Sequence, residues 1–391
     1  MKLFLAQSLL IRGAKQLLTL RGPSGVRRGA ALNDLAIIED GSVLIRDGMI
    51  AQVGSTRRVE NLKEARGAAE IAVNGAVVMP GFVDSGIYLG YGPASDSGKG
   101  TRTAEFYNDS LMLLRSCLQY GTLNAQVKVS AQSYDSHSDL ALLRQLGRIG
   151  DQPIGVTRTW RIHIPSRPTP RLSDDYAATV SLLAKRKLAH CIEIPLAYAS
   201  RDENILGAAQ ANSLGIHLAW SGGGGTMLAG LLHRLRPRSL NCPTNLTSDE
   251  CRIIGRFSAP VVFSPGRSIG EDRLSDAPRQ LVDFGVPICL SSGYSSDMPV
   301  FNLQIAITLA VLRLRLRAEE AIAAATINAA YAAGLGHVLG SLEAGKRADL
   351  LVMNVPDYRE IPRRFGTNHV GMAIREGKVV FNRNGWRMSA A

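Results

Sequence analysis

The middle of the chain alternates short apolar runs with helical patterns, and this alternation constrains the fold more than any other feature. The helical spacing at 106–119 is followed by a strand-like run at 122–127, and the same order recurs down to a strand-like run at 286–290. Strands and helices that alternate at this spacing are typical of a parallel sheet, and about eight such units predict an α/β fold of the (β/α)8 type.

Both ends of the chain are rich in strand patterns instead. Asp47-Gly48 separates two alternating runs and favours a tight hairpin turn, because glycine readily takes a positive φ. Residues 348–353 and 371–380 also alternate like strands. The predicted architecture is a TIM-like barrel at 77–338, with a small composite β-sandwich domain formed by both termini, at 1–76 and 339–391.

Positive charge is in excess along the chain. It holds 45 Lys and Arg against 33 Asp and Glu, for a net charge of +12. The arginines are scattered, and the densest groups, around Arg236, Arg315 and Arg363, have no interleaved aromatic residues. Because single-stranded nucleic acid is usually held by basic grooves with stacking aromatics, nucleic-acid binding is not expected.

The five cysteines form no CxxC pair and lie mostly in apolar surroundings, which is typical of reduced cysteines in a cytoplasmic protein. No signal peptide is expected, since the apolar run at 3–11 is short and lacks a small-residue cleavage site. The segment 205–232 carries no Asp, Glu, Lys or Arg, but glycines at 222–225 interrupt it. A membrane span is therefore not expected.

Three motifs carry a family resemblance. Residues 78–85 read VMPGFVDS, residues 340–350 read GSLEAGKRADL, and residues 364–370 read RFGTNHV. The first resembles the opening of the first barrel strand of the amidohydrolase superfamily, and the second is similar to a segment general to amidohydrolases. The third resembles imidazolonepropionases, which hydrolyse an imidazolone ring. The resemblance covers nearly the whole chain and implies the barrel scaffold, while leaving the chemistry open.

In that family one metal ion, usually zinc or iron, lies at the barrel mouth and activates a water molecule. The resemblance places the family's ligand positions on Gly86, Tyr88, His217, Cys242 and Gly293. His217 is the only retained family ligand, and Cys242 could replace another. A catalytic metal usually has three protein ligands. We therefore expect no metal cofactor, and zinc or iron only if the site has been rebuilt.

The resemblance assigns candidate catalytic roles to His217 and Cys242, which neighbouring strands would bring together as a base and a nucleophile. The alternative interpretations are a hydrogen-bonded pocket histidine and an unreactive small cysteine. Asp84, Glu193 and Asp297 could add carboxylates to a rebuilt site, although Asp84 is expected to anchor its turn. The candidate substrate-binding residues are His163, which matches a family histidine, Trp220, which replaces the family's acidic residue, Tyr88 and Ser292.

Three functions remain open from the sequence. The favoured hypothesis is an imidazolonepropionase-like protein that has lost metal-dependent hydrolysis and acts by binding a ligand, such as a small cyclic amide, or a partner. The alternative is an active hydrolase of C–N bonds in a small cyclic amide that uses a rebuilt site. The third is a basic scaffold for nucleic acid or an anionic partner. Dimerisation is common in the family, so a homodimer or a hetero-oligomer with a related subunit is left open.

Overall fold

The computed structural model describes residues 8–90, 103–130, 136–165, 171–220, 225–241, 246–270 and 277–389. Its strands, in chain order, are β1 Ser8–Leu18, β2 Ile37–Arg46, β3 Met49–Ser55, β4 Ala69–Ala72, β5 Val77–Pro80, β6 Phe82–Leu89, β7 Thr122–Val129, β8 Gly155–Arg161, β9 Cys191–Pro195, β10 Gly215–Ala219, β11 Ser239–Asn241, β12 Val261–Phe263, β13 Ile288–Leu290, β14 Leu350–Met353, β15 Val370–Arg375 and β16 Lys378–Asn382. They form two separate sheets.

The helices lie mostly between the strands from β6 onward. They are α1 Thr56–Glu60, α2 Thr103–Gln119, α3 Ser136–Ile149, α4 Leu172–Lys185, α5 Leu196–Ala199, α6 Glu203–Ala211, α7 Gly225–Leu235, α8 Ser248–Gly255, α9 Pro265–Gly270, α10 Ala277–Asp283, α11 Leu303–Arg313, α12 Ala318–Ala325, α13 Ile327–Ala332 and α14 Glu360–Arg363. No helix in the described ranges combines the length and apolar character needed to cross a bilayer.

Strands β6 to β13 pair in chain order and in parallel, and they form a nearly closed barrel of eight strands. This confirms the α/β class and the parallel barrel that the strand–helix alternation predicts. Local sequence signals start several of the surrounding helices. The Asp202 side chain accepts hydrogen bonds from Asn204 N and Ile205 N at the start of α6, and Thr247 with Glu250 forms a capping box on α8.

The remaining strands form one mixed sheet in the order β16-β15-β14-β5-β1-β2-β3, with β4 also paired to β1. The predicted β-sandwich is therefore not confirmed. The reason lies in the length of β1: one of its edges pairs with β2, and the other pairs first with β4 and then with β5. A single long strand thus ties the N-terminal and C-terminal strands into one layer. The hairpin turn predicted at Asp47-Gly48 is present, with φ of 50° and 79°.

Strand β5 differs from its predicted place. Val77–Pro80 pairs with β1 and with β14 in the mixed sheet, although the sequence assigned these residues to the start of the barrel. The barrel begins just after Gly81, at Phe82. The break follows from Pro80, whose ring nitrogen has no hydrogen to donate, and which therefore ends the ladder on that side.

The barrel closes between its first and last strands mostly through hydrogen bonds of the Asp84 and Ser291 side chains, together with one backbone hydrogen bond. Asp84 Oδ1 accepts hydrogen bonds from Gly86 N at 3.0 Å and from Ser292 N at 3.1 Å. Ser291 Oγ donates to Gly86 O at 2.8 Å, and Tyr88 N donates to Tyr294 O at 2.8 Å. Asp84 is fully buried, so these bonds replace a backbone ladder at the seam. It anchors a bulge within β6 rather than the turn that the sequence suggested.

Replacing Asp84 tests this closure. Burial raises the pKa of the Asp84 carboxyl, although hydrogen bonds from Ser292 and Gly86 oppose the rise. We expect Asp84→Ala to lower the free energy of unfolding by about 2–5 kcal/mol, because two buried N–H groups lose their acceptor. Asp84→Asn keeps an acceptor oxygen and serves as the matched control, with a smaller loss.

The pH dependence of thermal unfolding separates the loss of a hydrogen-bond acceptor from the loss of a buried ionisable carboxyl. An acid whose pKa is raised on folding stabilises the protein most at low pH, and it loses that contribution as the pH rises through the folded-state pKa. The stability of the Asp84→Asn protein relative to wild type should therefore improve as the pH rises. Equal stability of the Ala and Asn proteins would contradict a role in closing the seam.

Candidate functional site

The lumen of the barrel holds two layers of polar side chains, because alternate residues of each strand point inward. Strand β7 is buried along its whole length, yet it carries Asn124, Gln126 and Lys128 at every second position. The inner layer consists of Gln126, Thr159, His217 and Ser239, which are joined by hydrogen bonds. The mouth layer, at the C-terminal strand ends, consists of Lys128, Arg161, Glu193 and Asn241.

The Glu193 carboxylate is the centre of the mouth layer. Its Oε2 lies 2.6 Å from Lys128 Nζ, and its Oε1 lies 3.1 Å from Arg161 Nε. Asn241 Nδ2 also donates to Oε2. The Lys128 and Glu193 side chains are 0% and 1% exposed, whereas Arg161 is 37% exposed. One buried anion is therefore shared by two cations, of which only Arg161 reaches solvent.

The environment of Lys128 keeps it charged. Burial alone lowers the pKa of Lys128, but the nearby Glu193 carboxylate and Tyr88 act in the opposite direction, and the net pKa is raised. A lysine is a nucleophile or base only when it is neutral. The ammonium group of Lys128 thus acts as a fixed positive charge in the lumen at neutral pH.

The ring of Tyr88 packs against both cations. Lys128 Nζ lies 5.1 Å from the ring centroid, and the Arg161 guanidinium carbon lies 5.4 Å from it. These separations are within the range of cation–π attraction. Tyr88, one of the predicted binding residues, is half-buried at the end of β6 and therefore forms part of the wall of the mouth.

His217 lies in the inner layer, in the middle of β10, and is fully buried. Its Nδ1 is 2.7 Å from Ser239 Oγ, and its Nε2 is hydrogen-bonded to Gln126 Nε2. Burial, followed by the charges of Lys128 and Arg238, holds the pKa of His217 well below its usual value. The imidazole is therefore neutral at physiological pH, with both ring nitrogens engaged.

The described residues do not fit the family's metal ion. A Cβ at Gly86 would lie 2.8 Å from Ser291 Oγ, and a Cβ at Gly293 would lie 2.6 Å from Ser264 Cβ, where φ is also +69°. Ligand side chains at these two positions would need the barrel seam to shift. No cluster of three or more His, Cys, Asp or Glu suited to a metal occurs among the described side chains. The Lys128 ammonium would also repel a dication placed beside His217.

The other predicted site residues have different surroundings. His163 lies in the loop after β8 with its side chain exposed, and its carbonyl oxygen accepts a hydrogen bond from the Tyr176 hydroxyl at 2.8 Å. Trp220 is buried directly after β10, and its backbone N–H donates to Asn241 O at 2.9 Å. Ser292 is buried in the seam with Asp84. Cys242 lies outside the described residues.

Sequence reasoning named Glu193 but missed the cations that surround it. A signal was present: Asn124, Gln126 and Lys128 recur with a period of two in an otherwise apolar strand. Such an alternation indicates a strand with one polar face. Because every barrel strand has an inner face, this pattern places polar groups in the lumen. The partners of Lys128 lie on other strands, so the sequence alone does not show which residues pair with it.

The lumen combines a partly exposed cation at the mouth with unused acceptors in the inner layer and the mouth layer. Gln126 Oε1 and Asn241 Oδ1 are buried and have no hydrogen-bond partner within the described part of the chain. Arg161 adds a guanidinium that reaches solvent. The described groups are therefore suited to bind N–H donors and a negative charge.

Breaking the ion pair tests its role. Glu193→Gln leaves two cations without their carboxylate, and we expect a loss of about 3–5 kcal/mol in the free energy of unfolding. Lys128→Met should cost less, since Glu193 keeps Arg161 and Asn241 as partners. The double variant should lose less stability than the sum of the two single variants. Thermal unfolding of the wild type, both single variants and the double variant measures this. Strictly additive losses would show that the two side chains are not coupled.

Comparisons with known proteins agree with this fold. A family model described as "Amidohydrolase family" matches residues 266–380. Imidazolonepropionase of Geobacillus thermodenitrificans is 30% identical over 423 residues, spanning 96% of this chain and 98% of the relative. Imidazolonepropionase of Alkaliphilus metalliredigens is 27% identical over 422 residues, spanning 96% and 98%.

Solved structures give the same architecture at lower identity. The ochratoxinase of A. niger superposes with a TM-score of 0.72 at 18% identity, over 97% of this chain and 96% of that one. The guanine deaminase of E. coli gives a TM-score of 0.66 at 17% identity, over 96% and 99%. With the full-length sequence match, these findings show that the chain belongs to the imidazolonepropionase family within the amidohydrolase superfamily.

Proposed function

We propose that this family member has lost metal-dependent hydrolysis and acts by binding a small ligand at the mouth of its barrel. The observation that carries the proposal is the buried pair of Lys128 and Glu193 in the lumen. A buried ammonium ion next to the expected metal position supplies a positive charge without any metal. It also disfavours a second cation there by direct repulsion.

The loss of ligand groups supports the same conclusion. Hydrolysis by the inherited route requires a metal-bound water and a group that moves protons. Gly86 and Gly293 offer no donor atoms, and the ring nitrogens of His217 already have partners. Trp220, at the family's acidic position, cannot transfer a proton. No catalytic step is therefore assigned to a metal in this protein.

The ligand class follows from the mouth layer and its neighbours. A cyclic amide presents N–H donors, which the free oxygens of Gln126 and Asn241 could accept. Arg161 is suited to a carboxylate on the same ligand, because a guanidinium donates two parallel hydrogen bonds to carboxylate oxygens. A small imidazolone-like ring that carries a carboxylate meets both requirements.

One observation favours the alternative of an active hydrolase. Relatives named imidazolonepropionase match nearly the full length of the chain. Under this alternative, a rebuilt site with His163, His217, Cys242 and nearby carboxylates would cleave a C–N bond in a small cyclic amide, with Cys242 as the candidate nucleophile. It predicts turnover that is sensitive to a chelator or to a thiol reagent, whereas the binding hypothesis predicts neither.

Metal content and turnover distinguish the two hypotheses. The protein should be purified without affinity metal or chelator, and its zinc and iron should be measured by mass spectrometry. We expect less than stoichiometric metal, no change in melting temperature on addition of EDTA, and no consumption of imidazolone propionate. Stoichiometric metal that disappears in the His217→Ala protein, or turnover blocked by a thiol reagent, would establish the alternative.

Ligand binding is tested separately by calorimetry with imidazolone propionate and with hydantoin, a ring that has amide groups but no carboxylate. We expect imidazolone propionate to bind more tightly than hydantoin, and Arg161→Gln to weaken its binding about tenfold, which corresponds to roughly 1.4 kcal/mol. Arg115→Gln, on the exposed face of α2, is the matched control and should bind like wild type. Absence of binding by both compounds, or equal binding by the Arg161→Gln protein, would rule out this ligand class.

A further inference from the structure

A cavity lies at the end of the barrel opposite the mouth. Its volume is about 690 Å³, which is within the range of small-molecule sites. Its walls are the loops that lead into β11 and β12, the segment 24–28 that follows β1, and Tyr331 of α13. Loops that precede parallel strands lie at the N-terminal face of a barrel, so this cavity is separate from the mouth.

Positive charge dominates this cavity. Its charged lining residues are Arg28, Arg236, Arg238 and Arg256, and none of the lining residues is acidic. Within the described ranges, none of these four arginines forms an ion pair with a carboxylate. Because like charges gathered in one cavity repel one another, the arrangement costs stability unless an anion is bound.

Two of these arginines are held in place by neutral groups. Arg28 Nη1 donates to Gly255 O at 3.3 Å, and its Nη2 donates to Ser258 Oγ at 3.2 Å. Arg238 Nη1 contacts Cys191 Sγ at 3.2 Å. Arg238 also packs on Gly215, where a Cβ would come within 2.5 Å of its guanidinium. Both guanidinium groups are thus held in position without a carboxylate partner among the described residues.

The other two arginines complete the cavity from the solvent side. Arg236 follows α7 and Arg256 follows α8, and both side chains are exposed. Neither guanidinium has a described hydrogen bond to another residue. Exposed arginines at the rim of a cavity can close around an anion and donate pairs of hydrogen bonds to it.

We propose that this cavity, at the N-terminal face of the barrel, binds a small molecule that carries a diphosphate or triphosphate group. A single carboxylate would neutralise one of the four guanidinium groups, whereas a group of two or three phosphates brings a comparable opposite charge. Arginine also matches the geometry of phosphate oxygens through paired hydrogen bonds. Phe257 and Tyr331 supply apolar surface for the rest of such a ligand.

The proposal is tested by calorimetric titration of the full-length protein with inorganic pyrophosphate and with ATP at about 0.15 M salt. We expect saturable binding of both probes, weakened at least tenfold in the double variant Arg236→Gln/Arg256→Gln. These positions are exposed, so the variant should fold, which circular dichroism will confirm. Arg115→Gln removes one positive charge from a distant helix and should leave the affinity unchanged.

Three results would overturn the proposal. The first is the absence of saturable binding of either probe to the wild-type protein. The second is equal weakening by Arg115→Gln, which would indicate a general effect of net charge. The third is binding of a long RNA that pyrophosphate does not displace, which would identify the basic face as a nucleic-acid surface. Because this cavity is remote from the mouth, these results are independent of those for imidazolone propionate.

Discussion

The buried carboxylate of Glu193 organises the mouth of this barrel. It holds Lys128 and Arg161 on two neighbouring strands and receives a hydrogen bond from Asn241 on a third. Removing charged groups from water is costly, and only such close pairing makes their burial tolerable. Once this pair is in place, the lumen contains its own fixed positive charge. Burial lowers the pKa of His217 most, and the charge of Lys128 lowers it further.

The seam between the first and last strands adds a second constraint. Asp84 bonds to backbone N–H groups on both sides of the seam, and Ser291 fills the space beside Gly86. Gly86 and Gly293, on which the resemblance places two of the family's metal ligands, therefore lie in the segments that close the barrel. The same few positions at these strand ends can either hold ligand side chains or close the barrel. In this chain they close the barrel.

The two ends of the barrel differ in how their charges are balanced. At the mouth, Lys128 and Arg161 share one carboxylate, so a single positive charge remains. At the N-terminal face, four arginines line one cavity without a carboxylate, and two of them, Arg28 and Arg238, are held by neutral oxygen and sulfur atoms. One remaining positive charge suits a ligand with a single carboxylate, whereas four arginines without a carboxylate suit a ligand with several negative charges. The net charge of the chain alone therefore does not indicate which ligand is bound, because this depends on where the charged residues lie.

The sequence by itself determined the class of fold. Strand–helix alternation requires a parallel sheet, the Asp47-Gly48 turn fixes a hairpin, and the motifs at 78–85 and 364–370 mark the family. Only the tertiary structure decided that the terminal strands form one sheet, and that Lys128 faces Glu193 across 65 positions of the chain. The alternation of polar and apolar residues shows which face of a strand is polar, because that face is set by residues close together in the sequence. The partner of a buried charge depends on which strands become adjacent, and that is set by the closed barrel.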